Sequence, residues 1–281
     1  MIFNCQDSKL VYQVASPDEK AFFEKKAKQL VPLQIHNRYG CECEMIANGG
    51  FSPLEGFMGK KDAESVINKM TLCNGTTWSI PILLPINSTE NNNIQTGDEV
   101  SLYNQTGCLI AIMVIEEKFT LNLRNYCRKV YKTNDINHPG VKAVYDGGNQ
   151  FVGGKLIKLI NRPRFGRLDE TYFLDPHETR EIFRKRGWKT IAGFQTRNPI
   201  HRAHEYLTKI AIESLDGLLI HPLMGETKKD DVPQNIRLEC YKSIVERYYN
   251  QNKVLLSLLP AAMHYAGPRE AVHHMIVRKN Y

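Results

Sequence analysis

The sequence predicts an α/β plus β protein in two parts, a β-rich N-terminal domain over residues 1–167 and an α/β domain over 168–281. Three observations carry this. The first part breaks into short apolar runs cut by Gly/Asn turns, the pattern of a barrel-like or mixed β domain. From about Leu168 the period changes, and strand-sized apolar runs alternate with helix-length segments, which implies a parallel sheet with crossover helices. At 281 residues the chain can bury the core of one large domain or two ordinary ones.

The elements follow in order. Pro17 to Leu30, rich in Glu, Lys and Phe, reads as a helix. Thr77 to Ile86 reads as a strand, followed by the polar segment Asn87 to Asn93. Glu99 to Tyr103 and Leu109 to Glu117 read as strands separated by Asn104-Gln-Thr-Gly107. Phe151 to Leu159 is another, preceded by Asp146-Gly-Gly. In the second part, Pro176 to Arg186 reads as a helix and Thr190 to Phe194 as a buried strand. Asn198-Pro199 opens a helix to about Ser214, because Asn caps well and Pro suits the first helical position. Gly217 to Met224 and Lys253 to Pro260 are strands, and Pro233 to Tyr249 and Pro268 to Arg278 are helices. Ligands of such sheets sit beyond the carboxyl ends of the strands. That places Gln195 to His204, His221 to Asp231 and Pro260 to Arg269 along one edge.

Composition narrows the classes. Apolar residues make up 42% and charged residues 24%, which excludes wholesale disorder. No run approaches the roughly 18 apolar residues of a membrane span, and the N-terminus lacks a secretory pattern. The net charge of +7 favours anionic partners without choosing among them. Lys118, Arg124, Arg128, Lys129 and Lys132 cluster around Tyr126 and Tyr131, which would suit RNA, but a solvated basic loop explains the cluster as well and a nucleic-acid partner is not expected. Seven dispersed cysteines read as the reduced thiols of a cytoplasmic protein. Cys41 and Cys43 form the only close pair, and zinc would need a second one.

Nucleotide motifs are informative by their absence and by one presence. Gly148 to Lys155 resembles a P-loop but has one spacer too many and Leu156 where Ser or Thr must meet magnesium, so it reads as a hairpin turn. The informative stretch is Gln195-Thr-Arg-Asn-Pro-Ile-His-Arg-Ala-His204. It lies where a strand ends and a helix begins, and a helix N-terminus favours an anion. Arg197 adds a forked, permanently charged donor for phosphate or sulfate. His201 and His204, at i and i+3, share a helix face. A lone His-x-x-His is more often two satisfied histidines; the combination with the strand end, the Gln-x-Arg-Asn run and the Pro is far more specific.

This stretch resembles the nucleotide-binding signature of the ATP sulfurylase (sulfate adenylyltransferase) family. Asn48 to Met58, His221 to Lys228 and Tyr265 to Ala271 look like three further motifs of it, in order. The resemblance implies a PUA-like β-barrel followed by a Rossmann-like nucleotidyltransferase domain. It implies the reaction of ATP with sulfate to give adenosine 5′-phosphosulfate and pyrophosphate, the first step of sulfate assimilation, with Mg²⁺ carried by ATP. Gln195 and Arg197 would hold sulfate. Thr196, Arg197 and Asn198 would line the α-phosphate. His201 and His204 would meet the β- and γ-phosphates, so Gln195, Thr196, Arg197, Asn198, His201 and His204 together bind ATP. Assembly into a homo-oligomer would be in keeping with the family.

For the other matched segments the resemblance and the residues pull apart. Asn48 to Met58 reads as structural, packing the domains. Lys228 to Asp231 are either a solvated loop or a substrate contact. Gly267 to Ala271 is a helix start that the family would place at the ATP site. His273 and His274 face different sides of a helix. The family continues beyond the position matching Tyr281 into a Gly-Arg-Asp-His-Ala-Gly loop, so an incomplete catalytic domain is expected. The alternative function is a fragment or relative that binds nucleotide without turnover.

Overall fold

The computed structural model describes residues 9–164, 168–225 and 232–281. Contacts divide the chain into two compact units, Met1–Arg162 with His264–Asn280 and Pro163–Met263 with Tyr281.

The first unit opens with α1 (Pro17–Ala27), where Ser16 and Glu19 form a reciprocal capping box. β1 (Val31–Gln34), α2 (Asn37–Ala47), β2 (Gly56–Phe57), α3 (Lys60–Lys69), β3 (Leu84–Pro85) and α4 (Ser88–Asn93) follow. Then come β4 (Glu99–Tyr103), β5 (Leu109–Val114), β6 (Glu117–Thr120), α5 (Leu123–Val130), α6 (Pro139–Gly147) and β7 (Gln150–Leu159). The sheet is mixed, with β1 parallel to β4 and the other pairs antiparallel. The ten-residue β7 is its hub, pairing with β2, β3, β5 and β6. β2 crosses it so closely that a Cβ on Gly56 would overlap the Gly154 carbonyl.

Several elements differ from the sequence reading, each for a physical reason. The expected strand Thr77 to Ile86 shrinks to β3, because Pro81 and Pro85 have no N–H for a ladder. The polar segment Asn87 to Asn93 forms a short helix. Asn87 caps α4 in a capping box with Glu90. Leu109 to Glu117 is two strands, β5 and β6. Gly148 ends α6 at φ 82° and the chain runs straight into β7, so the P-loop look-alike is a helix-to-strand joint and not a hairpin. α2 was not foreseen at all. Gly40 through Ala47 are all buried, so the helix shows no polar face to set a period. Among the basic cluster, Tyr126 and Tyr131 are buried with their rings 6.1 Å apart. Lys118 donates to the carbonyls of Asn91 and Ile94. No aromatic platform for stacking bases is formed there.

The second unit begins with a 3₁₀ turn at Glu170–Tyr172 and α7 (Pro176–Lys185). β8 (Ile191–Thr196), α8 (Arg202–Ser214), β9 (Gly217–Pro222), α9 (Gln234–Tyr248) and β10 (Val254–Leu256) alternate as expected. The three strands are parallel in the order β10-β9-β8, with Phe194 level with Ile220 and Ile220 level with Leu256. All six residues of β9 are buried. Leu218, Ile220, Leu238, Tyr241, Val254 and Leu258 form the centre of its core.

The last helix, α10 (Pro268–Asn280), groups by contacts with the first unit, whereas the sequence reading kept 168–281 together. The reason is specific hydrogen bonding. Arg269 donates to the carbonyls of Val66, Ile67 and Ser79, and Asn280 to those of Gly50 and Ser52. No helix among the described residues is long and apolar enough to cross a membrane.

Candidate active site

β8 and β9 end side by side, with Gln195 level with His221 and Thr196 level with Pro222. The Leu223 N–H then donates to the Thr196 carbonyl at 2.9 Å, and Leu223 pairs with Leu259 beyond β10. Two of the three expected segments therefore meet at the carboxyl edge of the sheet, Gln195 to His204 and His221 to Gly225. Glu226 to Asp231, including Lys228, Lys229, Asp230 and Asp231, lie outside the described residues. Of the third segment, residues 260–263 group with this unit and His264 onward with the first.

The turn after β8 is not helical. α8 starts at Arg202 with His201 as its cap, not with Asn198 and Pro199. Local hydrogen bonds explain the delay. The Thr196 hydroxyl donates to the Asn198 carbonyl at 2.8 Å and accepts from the Asn198 N–H at 3.1 Å. This folds residues 196–198 into a tight turn that competes with a first helical turn. The hydroxyl of Thr196 thus shapes the turn. Gln195 and Arg197 are half-buried, and Asn198 is exposed.

His201 is exposed, and its Nδ1 accepts from the Ala203 N–H at 3.3 Å. A neutral imidazole accepting at Nδ1 carries its proton on Nε2, so Nε2 is left as an outward donor. His204 stands over it, ring centroids 3.9 Å apart and tilted by 30°. Burial, then the neighbouring His201, lowers the pKa of His204 below the usual histidine value. Its other face meets Phe194 at 5.6 Å, and its Nδ1 is buried without a hydrogen-bond partner among the described residues. The two imidazoles are therefore brought together at the start of α8, His201 as its cap and His204 in its first turn, close to the amides of its N-terminus, an arrangement suited to an oligo-anion.

Two residues at this turn were missed from the sequence. Arg237, fully buried on α9, donates through Nη1 to the Arg197 carbonyl at 3.0 Å and the Leu223 carbonyl at 2.8 Å. Tyr241, one turn later, donates to the Asn198 carbonyl at 2.8 Å. Burial pushes the Tyr241 hydroxyl up to about 12, so it stays a donor. The available signal was a charged residue at the position where α9 should have been apolar, four residues from a Tyr on the same face.

The remaining motifs serve the first unit. Arg269 is buried and donates to the carbonyls of Val66 and Ile67. Glu270 accepts from the N–H groups of His264 and Ala266. Asn48 ends α2 and accepts from the Gly50 N–H, and residues 48–54 are buried except Pro53. His273 is packed between Phe51 and Trp78, ring centroids 4.9 and 5.5 Å away, while His274 lies 3.5 Å from the Glu270 carboxylate.

A parallel sheet whose first strand ends in a hydrogen-bonded Gln-Thr-Arg-Asn turn, followed by paired imidazoles at a helix start, has the layout of an α/β enzyme with its site at the strands' carboxyl ends. Comparison with known proteins makes the assignment particular. Residues 4–162 match a PUA-like domain and residues 170–281 match ATP-sulfurylase. A sulfate adenylyltransferase from Persephonella marina is 55% identical over 280 residues, covering 100% of this chain and 72% of that protein. One from a Synechococcus strain is 46% identical over 272 residues, covering 97% of this chain and 69% of that protein. A hexameric APS kinase from Thiobacillus denitrificans superimposes with a TM-score of 0.75 at 25% identity, over 97% of this chain; the chain spans 50% of that structure's length. The chain belongs to the ATP-sulfurylase family, the sulfate adenylyltransferases.

Proposed function

We propose that the chain transfers the adenylyl group of ATP to sulfate, releasing pyrophosphate, and that the turn 195–204 is where this happens. The observation that carries the reading is the close His201–His204 ring pair beside a clamped Gln-Thr-Arg-Asn turn at the sheet's carboxyl edge. Relatives bearing the activity's name cover the whole chain.

A sulfate oxygen forms a bond to the α-phosphorus in line as the bond from that phosphorus to the bridging oxygen breaks. The electron pair leaves with pyrophosphate. Sulfate is already ionised, so no general base is needed. The work is positioning two anions and stabilising charge. Gln195 and Arg197 would hold sulfate. Arg197 and Asn198 would line the α-phosphate. His201, donating from Nε2, and His204 would stabilise charge on the leaving pyrophosphate. Thr196 would act by shaping the turn. Mg²⁺ enters as the companion of ATP; among the described residues, no group of three His, Cys, Asp or Glu is placed to hold a metal ion. The same reading makes the second unit a Rossmann-like nucleotidyltransferase domain and places the protein in the cytoplasm as a homo-oligomer.

The test is pyrophosphate release from ATP, Mg²⁺ and sulfate, in the chain and in His201→Ala/His204→Ala. Removing one charge-stabilising donor typically costs on the order of 10²–10³ in rate, so the double variant should fall at least that far. Release that is independent of sulfate, or unchanged in the double variant, would overturn the reading. Retained ATP binding without turnover would support the nucleotide-binding alternative instead.

A further inference from the structure

We propose that Arg237 and Tyr241 are positioning residues for the adenylyl-transfer turn, holding the carbonyls of Arg197 and Asn198 so that both side chains are fixed toward the substrates. The proposal rests on the assignment of the turn as the transfer site and deepens it.

The geometry is economical. A carbonyl held in place fixes the ψ angle of its residue, and ψ together with φ sets where the next side chains point. Arg237 Nη1 fixes the carbonyl of Arg197 and Tyr241 that of Asn198. Thr196 closes the turn from the inside on the same Asn198 carbonyl. Arg237 also holds the Leu223 carbonyl, tying the ends of β8 and β9 to one guanidinium. Pro199 follows at once and has no N–H, so the chain between Asn198 and the His201 cap has few local bonds of its own. α9 therefore adds to the Thr196 bonds a clamp from outside the turn.

Arg237 carries a second feature. It is fully buried, yet its Nε and Nη2 have no hydrogen-bond partner, and no carboxylate pairs with it, among the described residues. A buried cation balanced only by carbonyl dipoles is costly in the free protein. It leaves positive potential behind the turn where sulfate and the α-phosphate would sit, so bound anions complete its compensation. The cation thus favours the loaded state over the empty one.

The test uses three variants of the full chain, Tyr241→Phe, Arg237→Met and Arg237→Lys, with two readouts. The first is amide hydrogen exchange at Asn198 and Leu223, compared with Leu218 to Ile220 in β9. The second is kcat and KM for ATP in sulfate-dependent turnover. Misplacing a reacting group by about 1 Å can cost about 10²-fold in rate. Tyr241→Phe should lower kcat about tenfold and Arg237→Met about 100-fold, each by more than the change in KM, with Arg237→Lys recovering part of the loss. Exchange at Asn198 should accelerate at least tenfold while β9 stays protected. Equal acceleration across β9 would mean a merely structural role and overturn the proposal, as would unchanged exchange at Asn198 or a kcat within twofold of the parent. If the parent chain shows no turnover, that counts against the transfer reaction alone, and the exchange measurement decides the clamp.

Discussion

Arg269 in the first unit and Arg237 in the second are both buried, and both donate to backbone carbonyls. Arg269 uses both terminal nitrogens, Nη1 toward Val66 and Ser79 and Nη2 toward Ile67, and it pins α10 into a filled core. Arg237 uses Nη1 alone, on two loop carbonyls, and leaves two nitrogens unsatisfied among the described residues. The same side chain thus serves a saturated role in one unit and an unsaturated one in the other. Saturation marks a group that the fold itself needs. An unsatisfied buried cation behind an exposed turn marks one whose last partners arrive with a ligand.

The largest expected effect tests the first half of this contrast. Arg269→Met takes the Arg269 donor from the buried Ile67 and Ser79 carbonyls and a second donor from Val66, which keeps the Met70 N–H; an unmade buried group costs about 1–3 kcal/mol, offset by relaxation. A loss of about 3 kcal/mol in urea unfolding is expected, against about 1–2 for Arg237→Met. Equal losses would break the distinction.

Acid should weaken the first unit next. Burial, with His274 and Arg278 nearby, holds His273 down to about 3, and burial and Arg38 hold His264 well below the ordinary value of 6.5. Both are therefore neutral in the fold at pH values where the unfolded chain protonates them. Their contribution is full above about pH 6.5 and is lost as pH falls toward 3, at up to about 1.4 kcal/mol per unit for each. Glu42 works the other way. Burial raises it to about 8, so its contribution is full below about 4.5 and declines as pH rises through 8. Between pH 6.5 and 4.5, two histidines oppose one carboxyl, and a net loss of about 1 kcal/mol per unit is expected in urea unfolding. His273→Phe should flatten that slope whatever its own stability; an unchanged slope would remove His273 as the cause.

The smallest effect sharpens the contrast in the second unit. His201→Ala removes an exposed helix cap and should cost about 0.5–1 kcal/mol by thermal unfolding. The same change should lower turnover by about 10²-fold or more. A stability loss above 3 kcal/mol would make His201 a structural residue like Arg269.

The alternation in the second unit was legible because its strands are continuous apolar runs between capped helices, and five of its elements fall within a few residues of their expected places. The turn residues Gln195 to His204 were legible as a motif, yet the start of α8 was not. The Thr196 hydroxyl and the α9 clamp hold Asn198 out of the helix; the first is a local competitor that the Asn-Pro start signal outweighed in the reading, and the second lies 43 residues away. In the first unit α2 was invisible because a helix buried on all sides from Gly40 to Ala47 has no amphipathic period, and the capping box at Asn87 was a local signal passed over. Gly267 to Ala271 read as a helix start, which it is, but the role of Arg269 was not legible because its carbonyl partners lie about 200 positions away in sequence.

The most direct measurement is a crystal structure of the chain with adenosine 5′-phosphosulfate. The sulfate group should lie within hydrogen-bond distance of Gln195 and Arg197, the phosphate beside Asn198, and Arg237 should keep its bonds to the carbonyls of Arg197 and Leu223. The nucleotide bound elsewhere, or an empty turn at saturating ligand, would contradict the assignment of this site.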